Sequence, residues 1–591
     1  MFRRGQQHGG ILLLSVLLLA PLAVYAQSPP GSAASTKPSD EFAEGTAALK
    51  RGDLGAARAA FQDAVQLNPQ DVQSRNALGL VLLAQNDAAG AVRQFQEALR
   101  VAPDFLRARL NLSSALLGSN DFEGAIREAR AAIETAPNDP DSHLALARAL
   151  GATSKTPEAV LSLRRAVELA PERADLHDDL GTLLVQQNDI ANASAQFEEA
   201  LRLDPQLPSA HLHLGVLEFE QRQFDQAASH LRQANQLDDT NFLTLNYLGR
   251  TFREQGNFPE AVAAFRSSLR INTNQPDVLT LLGQSLERAG NPVEAAAVFR
   301  ELLRAEPENS DVQNNLGLAL LQSGDGDGAI AAFRAALRIR PGDTGYQGNL
   351  GAAYLQKADF AAAVSEFRSA LEHDPRNPSL HYNLGLALKL QDQLPEAVEE
   401  LKAAEALNPS QPDASYTLGV TLWQMGRGDE AVSELQNAIR AKPDYAEAYY
   451  MLGTVLKQRG QLKESAEALR QAVRLQPDFA GAHTTLAAVL RQLGDVEGAA
   501  AEAKLGAQLA KQTTDMQAAV FATNSGRRLR GMGELDGAVS EFRAAIHALP
   551  DYAPAHFELA VALRQMGKKE EAAAEFAKAA ELDPKLVAPQ P

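Results

Sequence analysis

The chain has no cysteine among its 591 residues. That excludes disulfides, thiolate nucleophiles, thiolate metal sites and the lipid-bearing cysteine of a bacterial lipoprotein. Aromatic residues are scarce, at 6%, with a single tryptophan. An excess of positive charge is also missing: 74 acidic residues stand against 56 basic ones, a net charge of -18. A field of that sign repels phosphate backbones and anionic lipid, so nucleic acid is not an expected partner. The one local basic cluster, Arg527, Arg528 and Arg530, reads as a solvated helix face. What is abundant is alanine and leucine, in a chain too long for one ordinary core. Helices are expected, in several domains or in a repeat array.

The N-terminus has three parts. Arg3 and Arg4 precede an apolar stretch from Ile11 to Val24, which ends in Val24-Tyr25-Ala26. This is the pattern of a secretory signal peptide cleaved after Ala26. At 14 residues, and with Pro21 inside it, the stretch is too short to span a bilayer comfortably. An uncleaved signal anchor is the alternative. Residues 27–37, rich in Ser, Pro, Gly and Ala, read as a flexible leader. A periplasmic or secreted location is therefore expected, with no later membrane span.

A period organises everything that follows. Pro69, Pro103, Pro137, Pro171 and Pro205 stand 34 residues apart, and the register resumes from Pro307 to Pro477. After a five-residue slip it returns at Pro550 and Pro584. Counted from residue 38, position 8 of each unit is always small and is Gly in twelve of sixteen units. Position 20 is Ala in all but one, where Ser465 stands, and position 24 is mostly bulky, as at Phe95 and Phe265. Two small residues allow two helices to approach closely, with the bulky residue expected beside the crossing. Gly at position 15, as at Gly256 and Gly426, suits a left-handed helix end. Each unit reads as a helix hairpin that cannot bury its apolar faces alone, so stacking must supply the partner.

These residues resemble the tetratricopeptide repeat; the run from Asn76 to Asp104 follows that consensus almost position for position. The resemblance covers 38–586 in sixteen repeats and implies an all-α fold, a right-handed α-solenoid of helix-turn-helix units. Repeats 1–14 are placed at 38–513, an inter-repeat insertion at 514–518, repeats 15–16 at 519–586 and a tail at 587–591. Lys511 takes the proline position of repeat 14; the extra residues either lengthen a helix or form a kink, and a local bend is the favoured reading. In this family the first helix of each pair lines a concave groove that binds peptides or partner proteins.

Positions 2, 5, 9 and 12 share one face of the first helix, and by the resemblance this is the groove side. Position 5 carries Tyr382, Tyr416 and Tyr450 in successive repeats, and Trp423 takes position 12 among them. Position 12 otherwise turns basic, with Lys389, Lys457, Arg491, Arg530 and Arg564, whereas Leu83, Leu117, Val185 and Phe219 hold it nearer the N-terminus. Aromatic anchors flanked by cations suit a peptide with acidic and apolar groups; the plainer reading is that these rings pack on neighbouring helices. Position 6 carries Asn315, Asn349 and Asn383, with Asn111 and Asn524 outlying. A row of amides can pair with an extended backbone, and it is similar to the asparagine ladder in the repeat domain of the O-linked N-acetylglucosamine transferase. Drift to a common helix-surface residue is the alternative.

No catalytic constellation, metal site or cofactor motif emerges. Six histidines, His143, His177, His211, His381, His483 and His556, all fall at position 4, which argues a repeat role rather than ligation. His211 and His213 diverge on a helix, and Asp178 with Asp179 reads as a solvated face. The run Gly324–Gly328 hints at a calcium loop but lacks the later acidic ligand. The expected function is a non-catalytic interaction scaffold of a bacterial-type cell envelope, with a protein or peptide partner. The alternative is an accessory subunit of an exopolysaccharide export or glycosyl-transfer system. Oligomeric state stays open at this stage.

Overall fold

The computed structural model describes residues 40–586. The signal-type segment, the leader and the tail lie outside the described residues. Those residues form thirty-one helices and no strand. They divide into two compact units, between Pro307 and Glu308.

Within each unit the repeats are helix hairpins. In repeat 2 the first helix runs Val72–Ala84 and the second Ala88–Val101. Position 15 sits in the turn between them with positive φ in every repeat, as Gly256 at 74° and Gly426 at 77° illustrate. Where glycine is absent, Asn86, Asn120 and Asn188 take the same conformation, but so do Arg222 and Ala358, against their side-chain sterics. In six repeats the next residue is an aspartate that caps the second helix, as Asp325 accepts the Gly328 N–H at 2.9 Å. The acidic glycine run is thus a helix cap.

The bulky residue at position 24 lies on the position-8 glycine rather than beside the crossing. A Cβ on Gly351 would sit 2.5 Å from Phe367 Cε1, and one on Gly79 2.4 Å from Phe95 Cε1. The rings are fully buried: Phe95, Phe265, Phe299, Phe333 and Phe367 are each 0% exposed. Each contributes on the order of 2–3 kcal/mol in burial alone. Where position 8 has a side chain, position 24 is small in two repeats, with Ser113 matched by Ala129 and Ala487 by Ala503, but stays large in the other two, with Ala147 matched by Leu163 and Ala560 by Phe576. Hydroxyls at the crossing find carbonyls on the facing helix: Ser113 Oγ donates to the Ala125 carbonyl at 2.9 Å, and Ser465 Oγ to that of Gly453 at 2.6 Å. In both units the second helix of a repeat packs on the first helix of the next, and successive first helices touch as well.

The repeat proline has a further role. Its carbonyl accepts from position 4 of the next first helix: His177 Nε2 reaches Pro171 at 3.1 Å, His483 reaches Pro477 at 2.9 Å and His556 reaches Pro550 at 2.8 Å. Arg75 does the same to Pro69 at 3.0 Å. The other ring nitrogen meets the second helix, as His381 Nδ1 meets Glu400 at 2.6 Å. These histidines are struts between turn and hairpin.

One junction departs from the rest. Val496–Gly531 is a single 36-residue helix that joins the second helix of repeat 14 to the first of repeat 15. Residues 514–518 extend this helix instead of forming a separate bend.

Candidate functional site: the first-helix face

The three tyrosines of repeats 11–13 come from Pro378–Leu390, Pro412–Gln424 and Ala446–Gln458, first helices that touch in sequence. Each ring is half-buried. Tyr382, Tyr416 and Trp423 pack on the edge of a core that includes Val398, Leu418, Leu422 and Leu435. Tyr416 also tilts against Tyr445 with ring centroids 5.1 Å apart, and Tyr450 against Phe479 at 4.8 Å. Trp423 Nε1 donates to Gln458 Oε1 at 2.6 Å, which fixes the indole across two repeats. One side of each ring packs inward, as the plainer reading expects, while the rest reaches solvent.

Cations stand beside them. Lys389 is half-buried, and burial pushes its ammonium pKa below the ordinary lysine value. Lys457 is also half-buried, whereas Arg491 is exposed. Burial, with Glu447 and Tyr450 adding to it, raises the Tyr416 hydroxyl above its usual pKa. The phenol thus remains a neutral donor across the physiological range.

The asparagines are divided in use. Asn349 Nδ2 donates to Asn314 Oδ1 of the preceding repeat at 2.8 Å, and Asn111 does so to Asn76 at 2.8 Å. Position 6 thus bonds to position 5 one repeat back, and part of the amide capacity is spent on stacking. Asn315 and Asn383 are half-buried; the position-5 residue preceding Asn383 is Gly348, which has no side chain to offer.

The same inter-repeat link carries charge in the N-terminal unit, where the sequence reading missed it. His213 Nδ1 meets Asp178 Oδ1 at 2.8 Å, and Asp178 is 5% exposed rather than solvated. Burial works to lower the His213 pKa, yet the charge and hydrogen bond of Asp178 carry it above the ordinary value. Beside it Arg148 grips Asp179 at 2.8 Å and 3.2 Å. Burial nonetheless raises the Asp179 carboxyl above its usual pKa. In the Arg527–Arg530 cluster Arg527 and Arg528 are exposed, while Arg527 and Arg530 are also paired. Arg527 Nε and Arg530 both reach Glu558, at 2.7 Å and 2.9 Å, and Glu558 is 8% exposed.

No group of three or more metal-ligating side chains occurs among the described residues, and no helix of theirs is long and apolar enough to cross a membrane.

Family models match repeats along most of the described residues. A tetratricopeptide-repeat family model matches residues 42–104, 349–412, 416–478, 450–512 and 523–586. A second, for the C-terminal domain of cilia and flagella-associated protein 70, matches 106–349. No curated protein matches the chain. Among solved structures, MamA shares 27% identity over 28% of this chain and 96% of its own, with a TM-score of 0.27. The APC/C hetero-tetramer Cut9–Hcn1 shares 15% over 93% of this chain and 99% of its own, with a TM-score of 0.34. YrrB, described as a TPR protein with an unusual peptide-binding site, shares 26% over 32% and 96%, with a TM-score of 0.28. Matched repeats and observed hairpins together make this chain an α-solenoid of tetratricopeptide repeats.

Proposed function

We propose that the chain is a non-catalytic scaffold of the cell envelope that binds a peptide or protein segment on the first-helix face of repeats 11–13. The observation that carries this is the row Tyr382, Tyr416 and Tyr450 with Trp423, each ring anchored on one side and open on the other. Rings held in this way lose little freedom on binding, and Tyr and Trp supply most of the energy at such contacts. Lys389 and Lys457 beside them favour a segment that mixes acidic and apolar side chains. Asn315 and Asn383 add donors and acceptors for its backbone. The envelope placement rests on the signal-type N-terminus.

Cross-linking in intact cells, followed by identification of the captured proteins, tests the reading. The expected result is a defined set of partners captured by the wild-type chain and lost on triple replacement of Tyr416, Trp423 and Tyr450 by Ala, with the helical content retained. Intact capture by the triple variant would overturn the site. Recovery of the chain in the cytoplasm with residues 1–26 still attached would overturn the placement.

A further inference from the structure

Elsewhere a short loop lets each first helix fold back onto the second helix before it. Between repeats 14 and 15 that loop is replaced by helix. The early part of Val496–Gly531 pairs with Ala480–Leu493 and the late part with Leu535–Ala548. From 507 to 518 every residue is exposed except Leu509 and Asp515, which are partly covered. Two faces that bury each other at other junctions are thus left open, one on each half of the same helix.

The identities of these faces follow from the repeat register. On second helices the face turned to the next repeat includes positions 17 and 21. Gly428 at position 17 meets Arg459 at position 14 of the following repeat, and Val398 at position 21 is 1% exposed. In repeat 14 these positions hold Val496, 73% exposed, and Ala500, exposed as well. On first helices the face turned back includes positions 3, 10 and 14. Ala448 and Val455, at positions 3 and 10 of repeat 13, are 0% and 1% exposed. In repeat 15 the same positions hold Phe521 at 76%, exposed Arg528 and Met532 at 63%.

We propose that a second copy of the chain covers both faces, in a twofold dimer whose long helices lie antiparallel and cross near residue 514. That register places Met532 over Val496, Arg528 over Ala500, Ser525 over Ala503 and Phe521 over Ala507 of the other copy. Each pair lies symmetrically about residue 514. It joins position 14 to 17, 10 to 21, 7 to 24 and 3 to 28. The first of these pairings is seen within the chain at Gly428 and Arg459, and again at Gly326 and Lys357. The proposed interface therefore continues one that the chain already builds between its own repeats. Both complementary halves occur in every copy, so two copies close the assembly with nothing left open; this is how a straightened hinge exchanges elements. Apolar Met532 and Phe521 would leave water, and Glu497, one turn from Ala500, supplies a carboxylate for Arg528.

The absence of cysteine gives a clean test. Ala503→Cys and Ser525→Cys are introduced together in the whole chain. On one intact helix these 22 residues span roughly 33 Å, far beyond disulfide reach. Mild oxidation is expected to yield a covalent dimer on a non-reducing gel, with either single variant giving none. Sedimentation should show a dimer of the wild-type chain. Phe521→Asp, at a side chain exposed in the single chain, should raise the dissociation constant at least ~10-fold with helical content unchanged. A disulfide within one chain would show instead that the helix breaks and the stack closes on itself, and would overturn the proposal. So would a monomeric mass for the wild-type chain, or a dimer that neither cross-links nor responds to Phe521→Asp.

Discussion

The first-helix face of repeats 4–6 and that of repeats 11–13 stand on the same framework but treat it differently. In the former, Arg148 pairs with Asp179 and His213 with Asp178 across repeats, with Asp178 buried and the others partly covered. In the latter, tyrosines and a tryptophan are braced from behind and left open in front. A face whose polar groups are already paired has little to gain from a ligand, whereas half-covered rings still have surface to bury. The glycine-on-aromatic crossings sustain both, which is why consensus positions say where the helices go and not what the face does.

The largest effect that would break this contrast lies in the charged region. Below pH 6.5, where the raised pKa keeps His213 protonated, His213→Leu removes the cation beside Asp178 and leaves a buried carboxylate uncompensated, at a cost of about 3 kcal/mol. In an array the loss should be local. Amide exchange should accelerate in repeats 5 and 6, with binding at repeats 11–13 unchanged. A cost below ~1 kcal/mol would mean that the pair is solvated and the contrast false.

The shared framework predicts a near-equal response in both regions. Gly181→Ala drives a Cβ to 2.5 Å from the Phe197 ring, and Gly419→Ala to 2.9 Å from Leu435 Cγ. Both should destabilise their hairpins by about 2 kcal/mol, with the phenylalanine site affected more because a flat ring has fewer ways to yield. Urea unfolding of the two variants against wild type reads this directly. Gly181→Ala combined with Phe197→Ala should recover part of the loss, since Ser113 with Ala129 shows that the pair can be rebuilt around a side chain.

The aromatic face should be cheaper to disturb. Tyr416→Ala removes a half-buried ring from the edge of a core, so about 1–2 kcal/mol is expected. The greater consequence should be in partner capture. If stability falls by more than capture does, the ring is core and the site assignment fails.

Much of this was legible in the sequence, because a 34-residue period repeats its evidence sixteen times. The helices, turns and small-residue positions all follow from it. The period does not give the direction of a side chain at the crossing, so Phe367 was expected beside Gly351 rather than on it. Nor does it show pairs that form between repeats. Sequence proximity sets Asp178 beside Asp179, while its partner lies 35 residues away on the next first helix. The junction at repeat 14 announced itself through Lys511 in the proline position. The residues after it, Gln512 to Ala518, include no glycine or proline to stop a helix, and so the helix continues.

The smallest expected effect is the most discriminating, because the two regions should respond alike to pH for opposite reasons. Behind the aromatic face, Glu434 and Glu405 lie close on second helices, and Glu405 accepts from Ser415 Oγ at 2.6 Å. Burial, and then the charge of Glu405, push the Glu434 carboxyl up to about 7 from an ordinary 4.5. Folding therefore favours its protonated form. The stability this gives is full below about pH 4.5 and is lost as pH rises through about 7. His213, also raised, contributes stability that is full below its ordinary 6.5 and is lost as pH climbs through its raised value. One region gains a repulsion and the other loses an attraction. Added salt should separate them: at pH 8 it relieves the carboxylate pair, whereas near pH 6 it weakens the histidine–aspartate pair. Glu434→Gln should flatten the pH response of repeats 11 and 12 alone, by less than ~1 kcal/mol because the side chain is only partly buried. Amide exchange at pH 6 and 8 measures both regions in one sample. An unchanged slope in the variant would show that the two carboxylates do not share their charge.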